Sequence, residues 1–384
     1  MAVINPGLTP QQATPGLFQF DPLMLPKWRL QRSLVRAKGG TSRARVLCIG
    51  DSTTLGQGAG TSVGGYLIGL ARDKAVPARM GALLAAAENL PCSMESMFGE
   101  GNVLNLGLSL SAYDSRITLG AGWAMSNTTV GGGSYQNSTT TNPITYTPEV
   151  NVDTFEVYFL EAPTTGVVTF DIDGSAPSSG PTTFNTVNAS YGYAKVTIKA
   201  ASTGAHTLHV KGPGTVGVIV GGIVAYDSTV GGVDIINAGW GASTTSNWAA
   251  TSYPWSNVNA LSVILPHLTI IELINDSWAI QNAALTTSNL QTLITEAKLS
   301  GDVLLCVPHA AQSGWDGGSL ATQAAVAAAI KGLAASNNVP CIDWQARYGT
   351  WAAANTIGWM NDAAHCNAVM YEDKAALLAR VLAA

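Results

Sequence analysis

The chain has 384 residues, of which 47% are hydrophobic and only 11% are charged. This composition supplies enough apolar material for packed cores and argues against wholesale disorder. At roughly 150 residues per domain, the length suggests two or three domains. The net charge of −5 leaves no excess of Lys and Arg to neutralise phosphates, so no nucleic-acid partner is expected.

Residues 1–40 are predicted to form an N-terminal extension. Residues 1–14 are polar and rich in Pro and Gly, and they lack the basic and apolar regions of a signal peptide, so none is expected. This leaves a cytosolic protein or another export route open, and the polar, weakly charged composition is compatible with an extracellular or virion-associated protein. No apolar run is long enough to predict a transmembrane segment, and the sequence does not indicate an oligomeric state.

Five short apolar runs, mostly β-branched, predict strands that are buried on both faces. These runs are residues 45–50, 233–237, 268–274, 302–307 and 339–343. Helical patterns occupy residues 73–89, 287–300, 319–336 and 368–384. The alternation of strands and helices predicts a parallel sheet with helices on both faces.

The alternation stops between the first and second runs, where segments of period two follow a polar tract. These segments are residues 154–161, 166–173, 194–199, 206–211 and 216–226. No helical pattern separates them, which is typical of an antiparallel β-sandwich. The sequence therefore predicts an all-β domain at residues 112–229, inserted into an α/β domain formed by residues 41–111 and 230–384.

The five cysteines do not indicate a disulfide framework, because their number is odd. Cys48, Cys306 and Cys341 lie inside apolar runs and are expected to be small core residues. No CxxC pair occurs, so no metal site is predicted.

The strongest chemical signal is Gly50-Asp51-Ser52-Thr53, directly after the first predicted strand. In doubly wound sheets, ligands bind beyond the carboxyl ends of the strands. Ser52 would lie there and would be a nucleophile if a base reached it. The alternative is that Ser52 only caps a helix or lies in a turn.

A second signal lies near the C-terminus, where Asp362 and His365 are three residues apart. In a turn, this spacing places both side chains on one side. The carboxylate can then hold one imidazole nitrogen and leave the other to accept a proton from Ser52. The alternative is that Asp362 caps the last helix and His365 is a surface residue.

Two further segments offer donors for a negatively charged oxygen. Residues 237–244 follow the second strand, and a glycine there would let a backbone N–H approach the site. Asn275 follows the third strand, and its amide would provide another donor. Each segment alone is a weak signal, but three of the four follow the first three predicted strands in order, and the fourth lies in the last loop.

These four segments resemble the four sequence blocks of the SGNH, or GDSL-type, hydrolases. The resemblance covers residues 43–111 and 230–384 and implies a flavodoxin-like three-layer α/β/α domain. It also implies a role for each of five residues, without a metal or an organic cofactor. These are Ser52 as nucleophile and first oxyanion donor, Gly241 as second donor, Asn275 as third, His365 as base and Asp362 as its orienting partner.

The sequence departs from the family pattern at three points. Thr53 replaces the usual leucine, and Leu273 replaces the usual glycine two residues before Asn275. The glycine block is one residue short, so Gly239 or Ala242 is an alternative to Gly241 as the second donor. The oxyanion geometry is therefore less firmly predicted than the nucleophile.

A β-sandwich inserted between the first two blocks is similar to the layout of peptidoglycan O-acetylesterases. The resemblance implies a serine esterase that acts on an acylated carbohydrate, with an O-acetylated one as the expected substrate. Trp240 and Trp278 adjoin the oxyanion segments and are expected to be pocket walls, and His309 is a further candidate for the substrate pocket.

Two alternatives remain. One is a lipase, thioesterase or arylesterase of the same fold. The other is a non-catalytic glycan-binding or virion structural protein. A second serine, Ser62, lies in a GxSxG pattern, but no strand precedes it as that motif requires.

Overall fold

The computed structural model describes residues 15–37, 39–60, 62–63, 66–67, 71–98, 110–126, 129–137, 140–277 and 282–384. In chain order, the strands in these ranges are β1 (Leu17–Gln19), β2 (Arg43–Gly50), β3 (Ser62–Val63), β4 (Tyr66–Leu67), β5 (Cys92–Ser93), β6 (Ser96–Met97), β7 (Ile117–Leu119), β8 (Trp123–Ser126), β9 (Ser134–Asn137), β10 (Pro143–Tyr146), β11 (Val152–Glu161), β12 (Val167–Ile172), β13 (Thr183–Asn185), β14 (Gly192–Gly204), β15 (Leu208–Lys211), β16 (Val218–Tyr226), β17 (Gly232–Gly239), β18 (Leu268–Glu272), β19 (Asp302–Val307) and β20 (Cys341–Asp343).

The α-helices in the same ranges are α1 (Pro26–Arg36), α2 (Ser52–Leu55), α3 (Ala71–Lys74), α4 (Val76–Glu88), α5 (Leu110–Tyr113), α6 (Thr245–Trp248), α7 (Asn257–Ile264), α8 (Ala283–Ser300), α9 (Leu320–Asn337), α10 (Trp344–Tyr348), α11 (Trp351–Thr356) and α12 (Ala368–Ala383). None of these described helices combines the length and the apolar composition needed to cross a bilayer.

The five predicted apolar runs form adjacent parallel strands in the order β17-β2-β18-β19-β20. Numbered along the chain, this is the flavodoxin-like order 2-1-3-4-5. Side chains of β2 alternate between two cores: Val46 and Cys48 face one, and Leu47 and Ile49 face the other. This two-sided burial explains the continuous apolar pattern and confirms the predicted fold class.

The N-terminal extension takes part in this α/β unit. Strand β1 pairs antiparallel with β20 at one edge of the sheet. In α1 the fully buried Trp28 donates from its backbone N–H to Asp302 (2.8 Å) and from its indole to the carbonyl of Leu382 (2.9 Å). These contacts tie α1 to β19 and α12.

The described strands from β6 to β16 form two antiparallel sheets packed face to face. One has the order β13-β12-β15-β10-β7, and the other has the order β14-β11-β16-β9-β8, with β6 paired to β16. The predicted period-two faces meet in the core between them, where Phe155, Val157, Phe159, Phe170 and Ile198 are buried. Because β6 lies before residue 112, this sandwich begins earlier in the chain than the sequence predicts.

Strand β11 is buried on both faces because it also packs against the α/β unit. Tyr158 and Leu160 point away from the sandwich core into the core that contains Ile236 and Ala260. Arg45 of β2 lies at the same interface, where its guanidinium group binds the carboxylate of Glu156 in β11 at 2.9 Å. The insertion is therefore held against the α/β unit by apolar packing and by a buried ion pair.

Candidate active site

Ser52 lies where the order of the parallel sheet reverses. The strands on either side of β2 are β17 and β18, so the carboxyl end of β2 opens at the topological switch point, where such sheets bind ligands. Ser52 begins the short helix α2 and is 5% exposed.

Asp51 fixes the turn that presents Ser52. One carboxylate oxygen accepts hydrogen bonds from the backbone N–H and the hydroxyl of Thr53, both at 2.9 Å. The other accepts from the backbone N–H groups of Ile274 (2.5 Å) and Asn275 (3.1 Å). Asp51 therefore joins the loop after β2 to the loop after β18.

The three residues that the sequence predicts as a catalytic triad lie in one hydrogen-bonded series. The Oγ of Ser52 is 2.9 Å from Nε2 of His365. Nδ1 of His365 is 2.8 Å from one carboxylate oxygen of Asp362 and 3.0 Å from the other. A carboxylate accepts the Nδ1 proton, which leaves Nε2 to accept the hydroxyl proton of Ser52.

The carboxylate of Asp362 is held in place by its own loop. It accepts hydrogen bonds from the backbone N–H groups of Ala364 (2.8 Å) and His365 (2.7 Å). Partial burial alone would raise the pKa of Asp362, but the bonds from His365 and the backbone hold it well below its usual range. Asp362 is therefore a carboxylate that orients the imidazole throughout the neutral pH range.

Close packing of glycines brings these loops together. A side chain on Gly58, which has a φ of +91°, would collide with the carbonyl of Cys366 beside His365. A side chain on Gly239 would collide with the backbone of Leu55 in α2. Glycine is therefore required where the Ser52 segment meets the histidine loop and the end of β17.

The turn that contains Gly241 is hydrogen-bonded to Gly50 on one side and to Asn275 on the other. The Nδ2 of Asn275 donates to the carbonyl of Ser243 (2.9 Å), and the N–H of Trp240 donates to the carbonyl of Gly50 (3.0 Å). Asn275 is 1% exposed, and its Oδ1 has no hydrogen-bond partner within the described ranges. The two predicted donor segments are therefore bonded to each other.

Of the alternatives to Gly241, Gly239 does not suit an oxyanion donor. Its N–H donates to the side chain of Asn237 at 2.9 Å, and its Cα packs on α2. Ala242 is exposed and has a φ of +61°. Gly241 stays the predicted second donor.

His309 lies behind the histidine loop and does not line an open pocket, which corrects the expectation from the sequence. It is 2% exposed, and its Nδ1 is 3.0 Å from Nζ of Lys374. Since an ammonium group only donates, Nδ1 accepts, and Nε2 donates to the carbonyl of Ala364 at 2.7 Å. Burial and the charge of Lys374 lower the pKa of His309 to about 4, so the ring is neutral.

Among the candidate pocket walls, Trp240 is partly buried and its indole packs on Gly132 of the insertion. Trp315 lies edge-on to the ring of His365, with centroids 6.5 Å apart. Trp278 and the side chain of Ser62 lie outside the described part of the chain.

Sequence reasoning missed the buried carboxylates that support the site. Asp276 accepts from the backbone N–H (3.0 Å) and the hydroxyl (2.8 Å) of Thr245, and so joins the third block to α6. Its only sequence signal is its position next to Asn275. Asp51 could have been found, because an Asp directly before a helix is a common N-cap.

No protein-family model and no curated relative matches the chain. Among solved structures, a peptidoglycan O-acetylesterase is similar over 94% of this chain and 95% of that chain, with a TM-score of 0.67 and 14% identity. A lipase/acylhydrolase from Enterococcus faecalis has 25% identity over 38% of this chain and 74% of that chain, with a TM-score of 0.32. A carbohydrate acetylesterase from Sinorhizobium meliloti has 17% identity over 38% of this chain and 77% of that chain, with a TM-score of 0.31.

The similarity to the peptidoglycan O-acetylesterase extends over the α/β unit and the inserted sandwich together. It agrees with the strand order and with the layout expected from the four sequence blocks. The chain therefore has an SGNH-type hydrolase fold with an inserted β-sandwich, arranged as in the peptidoglycan O-acetylesterase.

Proposed function

We propose that this protein is a serine ester hydrolase that removes a short acyl group, most simply acetyl, from a carbohydrate. The observation that carries the proposal is the series of hydrogen bonds from Ser52 through His365 to Asp362, at 2.9 and 2.8 Å. A nucleophile, a base and an orienting carboxylate within hydrogen-bond reach are what acyl transfer requires.

In the proposed reaction, the Oγ of Ser52 attacks the ester carbonyl while its proton passes to Nε2 of His365. The N–H groups of Ser52 and Gly241 and the amide of Asn275 stabilise the oxyanion, each worth about 3–4 kcal/mol. His365 then protonates the leaving alcohol, and an acyl-enzyme on Ser52 remains. Water activated by the same imidazole hydrolyses that intermediate and restores the serine.

The choice of a carbohydrate ester is supported by the likeness of fold to a peptidoglycan O-acetylesterase along almost the whole chain. The short acyl group is supported by the surroundings of the triad, where His365 and Ser52 are 8% and 5% exposed. A lipase or arylesterase of the same fold would use the same three residues, so the chain length of the acyl group distinguishes these functions.

Hydrolysis of p-nitrophenyl esters from C2 to C12 tests the proposal. We expect fast turnover of the acetyl ester, a decline with chain length, and a loss of kcat of about 10⁴-fold or more in Ser52→Ala. Ser62→Ala is the matched control and should keep its activity. A preference for long chains would support a lipase, and a wild-type protein without activity on any ester would contradict the proposal.

A further inference from the structure

A cleft of about 620 Å³ lies between the sandwich and the α/β unit, beside the loop that carries Gly241. Its volume is in the ~300–1,000 Å³ range of small-ligand sites. Trp240 and Asn247 line the side nearest the glycine block, and Gln136 and Thr165 line the side of the insertion. The cleft therefore begins at the proposed oxyanion loop and extends along the insertion.

Three aromatic rings form a platform in this cleft. Tyr253 stacks on Trp255 with centroids 5.0 Å apart and an angle of 1° between the rings. Tyr191, from the insertion, lies edge-on to both rings at 5.7 and 5.2 Å. Tyr191 and Tyr253 are 55% and 46% exposed, so both residues remain accessible to a ligand.

The platform is held rigid by its own loop. The N–H of Tyr253 donates to the hydroxyl of Ser256 (3.0 Å), and its carbonyl accepts from the side chain of Asn259 (2.7 Å). Exposed aromatic rings that are fixed before binding lose little conformational entropy when a ligand stacks on them.

Asn257 adds an independent observation. It lines the same cleft, is 5% exposed, and donates from Nδ2 to the carbonyl of Asn247 at 3.0 Å. Its Oδ1 has no hydrogen-bond partner within the described ranges. This oxygen is itself closed to solvent, so a ligand hydroxyl bonds to it once the amide turns toward the cleft, and that bond would satisfy an acceptor that is otherwise unpaired within the described ranges.

The described lining of the cleft is uncharged. It consists of hydroxyl, amide, aromatic and small apolar residues, without an Asp, Glu, Lys, Arg or His side chain. A charged ligand would lose hydration there without gaining a counter-charge, whereas a sugar has apolar C–H faces for the rings and hydroxyls for the amides.

We propose that this cleft is a subsite for an uncharged segment of a glycan chain, bound across the sandwich and the α/β unit. The substrate class rests on the proposed function, and the cleft would hold sugars that do not carry the ester being cleaved. The insertion is then part of the binding site, because Tyr191 of the platform comes from the insertion, whereas Tyr253 and Trp255 come from the α/β unit.

Calorimetric titration of Ser52→Ala protein with unacylated oligosaccharides tests the subsite. Chitohexaose, cellohexaose and xylohexaose are the neutral probes, and hexagalacturonate is the charged one. We expect at least one neutral probe to bind and hexagalacturonate not to bind. Adding Tyr253→Ala or Tyr191→Ala should weaken binding about two- to tenfold, which corresponds to the roughly 0.5–1.5 kcal/mol of one aromatic contact.

Phe18→Ala removes an aromatic residue that is 41% exposed on the distant strand β1, and it should bind the probes like its parent. The subsite proposal is overturned if no neutral probe binds, if hexagalacturonate binds equally well, or if the Tyr253→Ala protein, folded by circular dichroism, binds like its parent. Since these probes carry no ester, binding without any esterase activity would sink the proposed function and leave the subsite standing.

Discussion

At the residue scale, buried carboxylates rather than the triad alone define the site. Asp51 and Asp276 link the segments after β2, β17 and β18 through backbone N–H groups. Burial raises the pKa of Asp276 to about 7, although the bonds from Thr245 oppose the shift, and the charge of Asp51 adds to it. Asp276 therefore holds its proton up to about pH 7, well above the usual range of an aspartate.

The raised pKa of Asp276 predicts how stability depends on pH. Between about pH 4 and pH 7, the folded chain keeps a proton that the unfolded chain releases, so this residue lowers stability as pH rises, by at most about 1.4 kcal/mol per pH unit. Asp276→Asn imitates the protonated acid and should remove that decline. The measurement is urea unfolding at several pH values between 4 and 8.

Asp316→Asn, at an exposed turn, is the control for loss of a carboxylate and should leave the decline in place. Parallel curves of unfolding free energy against pH for wild type and Asp276→Asn would contradict a raised pKa of Asp276.

The sequence predicts Ser52, Asp362 and His365 because each lies in a short local pattern at the end of an element. It could not predict the link from Asp276 to Thr245, since the partners are 31 residues apart and the loops between them set their approach. For the same reason, the sequence predicts His309 in the pocket: its position after β19 is visible in the sequence, but its burial is not.

At the element scale, the loop with Asp362 and His365 is supported from behind by a buried series of polar groups. Glu272 at the end of β18 binds Lys374 of α12 at 2.5 Å, and Lys374 binds His309, which donates to the carbonyl of Ala364. Burial alone would raise the pKa of Glu272, but the charge of Lys374 lowers it to about 2. The loop is thus anchored to the sheet by a persistent charge pair.

We predict that His309→Ala lowers kcat for acetyl ester hydrolysis by about 10- to 100-fold with little change in KM, because a misplaced base costs that much. His309→Gln can still donate to the carbonyl of Ala364 and should recover part of the loss. Steady-state kinetics of both folded variants is the measurement. Equal kcat in wild type and His309→Ala would show that the loop does not depend on this support.

The sequence predicts the five strands of the parallel sheet because both of their faces are apolar. It missed β5 and β6, which have two residues each and too few side chains for a period. β6 joins the sandwich only because the chain has left the parallel sheet just before it.

At the scale of the whole molecule, the sandwich and the α/β unit are joined by buried charges. Arg45 binds Glu156 (2.9 Å), and Glu156 also binds Lys195 of β14 (3.1 Å). Burial alone would raise the pKa of Glu156, but Arg45 and Lys195 lower it. The pair contributes to stability above the usual pKa of a glutamate, and this contribution is lost as pH falls through the lowered value.

Glu156→Ala should lower the free energy of unfolding by about 3 kcal/mol at neutral pH, because it leaves Arg45 buried without its main partner. Glu372→Ala breaks a half-exposed pair with Arg79 and should cost less than about 1 kcal/mol. Chemical unfolding of both variants measures the difference. Similar small losses would mean that the ion pair does not hold the two units together.

The position of the insertion could be predicted because the period of the apolar pattern changes there. The cleft between the units could not, since Tyr191 and Tyr253 are distant in sequence and neither lies in a motif. Their approach depends on how β14 and the loop before α7 meet across the contact between the units.

The most direct test of the central claim is covalent labelling of the wild-type protein with a fluorophosphonate, followed by mass spectrometry of its peptides. The account predicts one adduct, on Ser52, which disappears in Ser52→Ala and forms much more slowly in His365→Ala. Labelling of Ser62 or another serine, or ester hydrolysis by a protein whose Ser52 stays unmodified, would contradict it.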